Sequence, residues 1–426
     1  MTISAHPGDF SPERPRTPGW YALTIMGSVA FLAYLYRMLW SVLSISIKAE
    51  MGLSDTEIGL LGGLGFALSY AITSLPFSFV IDLGNRVRIL SACAAVWALA
   101  SVGCGLAGSV PILLAARLLV GVGEAGLLPS SYSLLVDFVP THKRAFAFGI
   151  LDALGALGVM AGVSISGWMS SSIGWRNTFV YLGIPGILAA GVLLFTVHEP
   201  SQKALYNVAG AEQYWQRLSS LVRRPTFRWL TGMFTLHIMT YYASIQWLPS
   251  FFSRSYQMSL TDVGFSVGSV CGISGIVGSL VGAFISPRFI ARNRQWELRI
   301  PAIAYIAGLP LFLTVYLVHD IHIALVALFC AVLTTSVASA PALAAIQSVA
   351  RANIRATAVA LVMFFSAVIG QGGGPLLVGV ISDRLRSRIG IDSLRFALVA
   401  VSFALLAASF CAYRGARHLP ADLEAV

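Results

Sequence analysis

Four ionisable residues, Arg37, Arg117, Glu124 and Asp152, fall inside long apolar runs of this 426-residue chain. A charge at the centre of a bilayer costs at least ~2.5 kcal/mol, so each is a candidate for chemistry rather than for solubility. Arg117 and Glu124 are seven residues apart, two helical turns, and share one helix face. At ~1.5 Å per residue from Pro111, Arg117 lies ~9 Å and Glu124 ~20 Å along that run, and Arg37 lies ~26 Å along the first, at a height comparable to Arg117. Two guanidiniums and a carboxylate at membrane depth suit one kind of chemistry. Glu124 takes up and releases a proton, while Arg37 and Arg117 set its affinity and hold an anionic group of a substrate. The same trio also fits a structural salt bridge between the first and fourth runs. Asp152, ~12 Å past Arg144, is either a second proton site or a helix-to-helix hydrogen bond.

A second polar group lies further along the chain. His237, Tyr241, Tyr242, Gln246 and Trp247 put hydrogen-bonding and aromatic groups at membrane depth, with His237 and Tyr241 on one helical face and Tyr242 and Gln246 on a neighbouring one. Tyr241 and Gln246 are expected to line a substrate cavity. His237 titrates in the right range for a proton carrier but is more simply a packing residue. Gln371, inside the glycine-rich stretch 370–375, is a further cavity candidate.

The elements that position these residues follow from composition. The chain is 57% hydrophobic and 11% charged, with a mean hydropathy of +0.79, too few charges to coat a water-soluble globule of this size. Twelve apolar segments reach the ~20 residues that a span needs: 20–46, 56–80, 89–108, 111–138, 145–171 and 177–197, then 229–252, 261–285, 299–318, 321–348, 356–381 and 394–413. Ser54 and Glu57 form a capping box opening the second, and Pro111 opens the fourth. The positive charges sit in short clusters between these runs: 19 Lys and Arg on the side of both termini against 7 on the other, which places both termini in the cytoplasm. This pattern is a topology signal and not a nucleic-acid-binding face. The halves repeat: residues 54–59 are echoed at 259–264, and 144–147 at 355–358. An all-α membrane protein follows, with a six-helix bundle at 1–198, a cytoplasmic linker at 199–228 and a second six-helix bundle at 229–426.

Five scattered cysteines, no phosphate loop and no Ser/His/Asp or metal-ligand set leave no sign of a disulfide framework, an ATPase, a cofactor, a metal site or an enzyme. Energy must then come from a gradient.

The residues Asp82 to Arg88 between the second and third spans resemble the gating loop of the major facilitator superfamily. The series 121–126 (Gly-Val-Gly-Glu-Ala-Gly), Asp137 through Pro140 to Arg144, Gly174-Trp175-Arg176, Trp247-Leu248-Pro249 with Arg254, and Ser382-Asp383-Arg384 resembles its spinster-like transporters over nearly the whole chain. The resemblance implies a major facilitator fold of 12 helices in two pseudo-symmetric bundles around a cavity, gating by Asp82, Arg86, Arg88, Asp137 and Arg144, and cavity positions at Tyr36, Arg37, Arg117 and Glu124. Spinster-like proteins carry an Asp-Arg pair where this chain has Tyr36-Arg37, so the acid is missing there. The expected function is secondary active, proton-coupled transport of an amphiphilic or small organic anion, lysolipid-like or carboxylate, by a multi-pass monomer in a bacterial inner membrane. Its partners are the substrate, protons and the bilayer, with no nucleic acid. The alternative is an uncoupled facilitator or a transporter-derived lipid-translocating or sensor protein.

Overall fold

The structure is a computed structural model that describes residues 17–140, 143–200, 219–350 and 355–424. Among the described residues no strand occurs, as a lipid-exposed chain requires: the backbone must satisfy its own hydrogen bonds where water is absent.

Every apolar segment marked in the sequence coincides with helix. We number these α1 (Gly19–Met51), α2 (55–83), α3 (Arg86–Leu106), α4 (110–138), α5 (144–173), α6 (175–196), α7 (Pro225–Tyr256), α8 (Leu260–Arg292), α9 (Trp296–Leu317), α10 (321–349), α11 (355–389) and α12 (393–424). Nine described stretches are long and apolar enough to cross a membrane by length and composition. Two of these, of 50 and 67 residues, hold two crossings each (α5 with α6, α11 with α12) at ~20 residues per crossing. α7 is not among the nine, its apolar content diluted by His237, Tyr241, Tyr242, Ser244 and Gln246. Large apolar side chains such as Phe195, Phe284 and Leu106 face outward, as expected where lipid is the solvent.

Helix ends and breaks follow local chemistry. Ser54 Oγ accepts from Glu57 N at 3.1 Å and Ser54 N donates to Glu57 Oε2 at 2.8 Å, the reciprocal capping box the sequence predicts. Gly174, at φ 80° and ψ 162°, separates α5 from α6 in a backbone region that only glycine adopts cheaply. The first pieces of α4 and α10 each run 16 residues before the helix breaks, at Gly126 and Val337 respectively, as the duplicated pattern requires. α2 and α11 each contain one wide π-helical segment, Leu60–Leu64 and Ser366–Gly372. They cross there: a Cβ at Gly63 would lie 2.8 Å from Gly372 O, so the two backbones approach too closely for any side chain.

The chain ends meet the ends of the helices beside the linker. Thr17 Oγ1 accepts from His198 N at 2.9 Å, and Asp422 Oδ2 accepts from Thr226 N at 2.9 Å. This defines a terminal face; the other end of the helices is the far face. Residues 201–218 of the expected linker lie outside the described residues.

Candidate translocation site

Glu124 is the penultimate residue of the first piece of α4, two residues before the break at Gly126, and is 3% exposed. Its Oε2 accepts from Arg37 Nε of α1 at 3.0 Å and also from Arg37 Nη2. Its Oε1 is buried without a hydrogen-bond partner among the described residues. Arg37 Nη1 also donates to the Tyr242 hydroxyl of α7 at 3.3 Å, so one guanidinium joins a carboxylate of the first half to a phenol of the second. The Tyr34, Phe66 and Tyr70 rings lie 5.4, 5.5 and 6.0 Å from its centre, a cation–π cage that partly replaces water around a charge at membrane depth.

Two cavities meet at this arginine. The first is lined by α1 from Val29 to Arg37 and by Glu124, Leu127 and Ser131 of α4. α1 runs away from the terminal face and α4 runs toward it, so these residues place the cavity on the terminal side of the ion pair. The second lies on the far side and takes walls from both halves: Arg37, Trp40, Gly62, Phe66 and Arg117 against Tyr242, Gln246 and Gln371. Arg37 lines both cavities, while Glu124 lines the first only.

The expected cluster of two arginines and a carboxylate divides. Arg117 is 5% exposed, forms no ion pair among the described residues, donates through Nε to Leu61 O at 3.3 Å, and sits 4.7 Å over the Trp40 ring and 5.5 Å over Phe66. Two helical turns put it a full cavity away from Glu124. Gln246 and Gln371 reach the second cavity. A Cβ at Gly62 would collide with both Trp40 Nε1 and Gln246 Nε2, and neither nitrogen has an acceptor among the described residues.

Three expected cavity residues stand elsewhere. Tyr36 is 2% exposed and packs edge-on against Trp97 at 4.6 Å, with its hydroxyl buried and without a hydrogen-bond partner among the described residues, because one residue's 100° rotation from Arg37 turns it into the first half's core. Tyr241 lines neither cavity and packs on Tyr242 at 5.2 Å; of the two adjacent tyrosines it is Tyr242 that reaches the site. His237 stacks on Tyr305 at 4.7 Å, a packing position. The side chains of Asp82 and Asp152 lie outside the described residues.

The far face is closed by a polar latch between the halves. Asp55, fully buried at the start of α2, accepts from Arg254 Nη1 at 2.9 Å and Nη2 at 2.8 Å, from Ser382 Oγ at 2.7 Å and from Lys48. Asp383 of α11 caps α2 from the other half, accepting from Asp55 N at 3.1 Å, Thr56 N at 2.7 Å and Thr56 Oγ1 at 2.6 Å. Along the neighbouring seam Ser164 of α5 donates to Gly264 O of α8 at 3.1 Å. Sequence reading took Ser54 to Glu57 as a helix cap and Ser382-Asp383 as a motif; nothing local shows that they meet.

At the terminal face the described ion pairs stay within one half. Arg86 contacts Asp137 at 2.7 Å and Glu199 at 2.8 Å, and Glu199 also accepts from Val87 N at 2.9 Å. Arg86 and Asp137 thus meet, joined by Glu199, which sequence reading missed. Arg88 is exposed, and Arg144 Nε turns back to Val139 O at 3.4 Å.

A buried ion pair between two cavities, in a helical duplication latched at one face, is the architecture of a multi-pass membrane transporter. The sequence matches the family model of the Major Facilitator Superfamily over residues 25–375, and the chain belongs to that family. The fold is similar to that of a bacterial homologue of the human lysosomal transporter spinster, in an inward-facing and unoccupied conformation, which superimposes with a TM-score of 0.83 at 24% identity, covering 95% of this chain and 98% of that one. An MFS-type efflux pump of Mycolicibacterium smegmatis is 29% identical over 95% of this chain and 94% of its own length. A probable galactarate/D-glucarate transporter of Bacillus subtilis is 25% identical over 67% of this chain and 69% of its own. The relatives are transporters and not enzymes.

Proposed function

We propose that the chain is a proton-coupled secondary transporter of organic anions, and that Arg37 is the element shared between proton and substrate. The observation that carries this reading is the position of Arg37 in the wall of both cavities while it is bonded to Glu124. A proton arriving through the terminal-side cavity neutralises Glu124 and loosens the hold of that carboxylate on the guanidinium. Arg37 then turns its charge to an anion in the second cavity, where Arg117, Tyr242, Gln246 and Gln371 supply further donors. By linkage the anion promotes proton uptake as much as the proton promotes anion binding, so the two travel together. Two guanidiniums and two amides on one cavity wall suit a small organic carboxylate, the class named for the galactarate/D-glucarate relative; the aromatic walls also suit the head of an amphiphilic anion such as a lysolipid.

In this reading residues 1–198 and 229–426 rock as two bodies about the cavities, joined by the linker 199–228. The Asp55 latch closes the far face, and Arg86, Asp137 and Glu199, with Asp82, Arg88 and Arg144 beside them, govern the terminal face. The excess of Lys and Arg on the terminal side sets both ends in the cytoplasm of a bacterial inner membrane. One chain lines both cavities, so a monomer suffices. Asp152 remains a candidate for a second proton site.

The test is uptake of galactarate and related carboxylates into proteoliposomes with and without a pH gradient. Wild type should accumulate the anion only with the gradient. Glu124→Gln should equilibrate it at a rate independent of pH, and an unchanged pH dependence in that variant would sink the proton role. One observation favours uncoupled facilitation instead: where an acid would stand beside Arg37, α1 carries Tyr36, whose buried hydroxyl has no hydrogen-bond partner among the described residues. Equilibration without accumulation by the wild type would establish that reading.

A further inference from the structure

The duplication exposes a missing carboxylate. In the first half, the helix start at the terminal-face corner holds Arg86, and its charge is met by Asp137 and Glu199. In the second half, the end of α8 and the start of α9 carry Arg288, Arg292, Arg294 and Arg299 against a single nearby acid, Glu297. Glu297 is 1% exposed and already engaged: one oxygen meets Arg294 Nε at 3.0 Å and the other accepts from Ser348 Oγ at 2.6 Å. Arg288, Arg292 and Arg299 form no ion pair among the described residues.

Their surroundings are those of a membrane interface. Arg288 and Arg292 are exposed and stand one turn apart on α8. The same stripe continues toward mid-membrane as Phe284, 74% exposed, with Ile285 and Phe289 beside it. Phe289 packs against Trp296 of α9 at 5.0 Å, and the Arg299 guanidinium lies 5.9 Å over that tryptophan ring. Aromatic rings at headgroup level and arginines that reach from an apolar stem toward water are the devices by which a helix end meets lipid.

We propose that the α8–α9 corner binds the phosphate of an anionic phospholipid, with Arg288, Arg292 and Arg299 as its ligands, Phe284 and Ile285 along its acyl chain, and Trp296 at its glycerol level. The lipid supplies from outside the negative charge that Asp137 and Glu199 supply inside the first half. Guanidiniums suit this task, since each presents two parallel N–H donors to a phosphate. The acyl chain fixes the source: a free phosphate meets the arginines alone, and a phospholipid meets the arginines and the apolar stripe together.

The full chain, purified in a neutral detergent, is melted with added dioleoylphosphatidylglycerol, with dioleoylphosphatidylcholine, or with glycerol 3-phosphate. Phosphatidylglycerol should raise the midpoint by at least ~2 °C, and the other two should leave it unchanged. In Arg288→Gln/Arg292→Gln the rise should fall by at least half, while the midpoint in phosphatidylcholine stays that of wild type. Native mass spectrometry should show one fewer retained phosphatidylglycerol in the variant. Arg292→Gln alone, at the exposed end of α8, is the fallback if the double variant fails to fold. An equal rise with glycerol 3-phosphate would make the corner a soluble-anion site, and an undiminished rise in the variants would place lipid binding elsewhere. Either result overturns the proposal.

Discussion

The latch at Asp55 allows the conformational balance of the protein to be estimated from its bonds. Of the groups that Asp55 accepts from, Lys48 belongs to the same half and travels with it, whereas Arg254 and Ser382 belong to the other. Opening the far face must therefore break the two-pronged Arg254 contact and the Ser382 bond, and leaves the Lys48 contact in place. Hydrogen bonds to a charged group contribute ~1.5–3 kcal/mol each. The Arg254 side chain is 23% exposed, so water recovers part of that contribution, and we take about 2 kcal/mol for the arginine pair and about 1 kcal/mol for the serine. Asp55→Asn keeps the shape and removes the charge, shifting the balance toward far-face opening by about 3 kcal/mol, or ~100-fold in population. Spin labels at Ser172 and His319, exposed on the far face of the two halves, measure this by electron–electron distance spectroscopy. Wild type should give a dominant short distance and Asp55→Asn an enlarged longer-distance population, with Arg254→Gln intermediate. An Asp55→Asn distribution that overlays the wild type would refute the assignment of Asp55 as the element that holds this face shut.

Other consequences follow from single side chains. Arg37→Gln removes the element common to both cavities and should abolish accumulation of substrate in proteoliposomes, and by leaving the buried Glu124 without its cation it should also lower the melting temperature in detergent. Arg117→Met, similar in volume, should weaken substrate affinity at least ~10-fold, as loss of a charge-assisted contact does. It should leave the pH dependence of transport intact, because Arg117 does not touch Glu124; calorimetric titration at two pH values reads both. Gly174→Ala forces φ 80° on a residue with a Cβ, costs ~1–3 kcal/mol and should lower the thermal midpoint with no change in substrate selectivity.

Much of this protein was legible without its tertiary structure. Every apolar segment became helix, the Ser54–Glu57 box closed as expected, and Arg37, Glu124, Arg117, Gln246 and Gln371 came to the cavities. What failed was azimuth. Adjacent residues point 100° apart, and nothing in Tyr241-Tyr242 or Tyr36-Arg37 says which of each pair faces the cavity. Packing decided it: Trp97 claimed Tyr36, and Tyr242 rather than Tyr241 met Arg37. Arg117 and Glu124, correctly read as one face, were separated by the two turns between them, each taking a different partner from α1, Trp40 for the one and Arg37 for the other.

The sequence alone determines that this chain lives in lipid, which segments are helical, and which few residues bear charge at membrane depth, because each depends on local composition weighed against the large cost of charge and bare backbone in hydrocarbon. Only the tertiary structure decides what those charges meet. Arg37 and Glu124 are 87 residues apart, Asp55 and Arg254 199, and Thr56 and Asp383 327. Pairs so distant are set by the rotation and crossing of whole helices, which many packing contacts fix together and no local run of residues encodes.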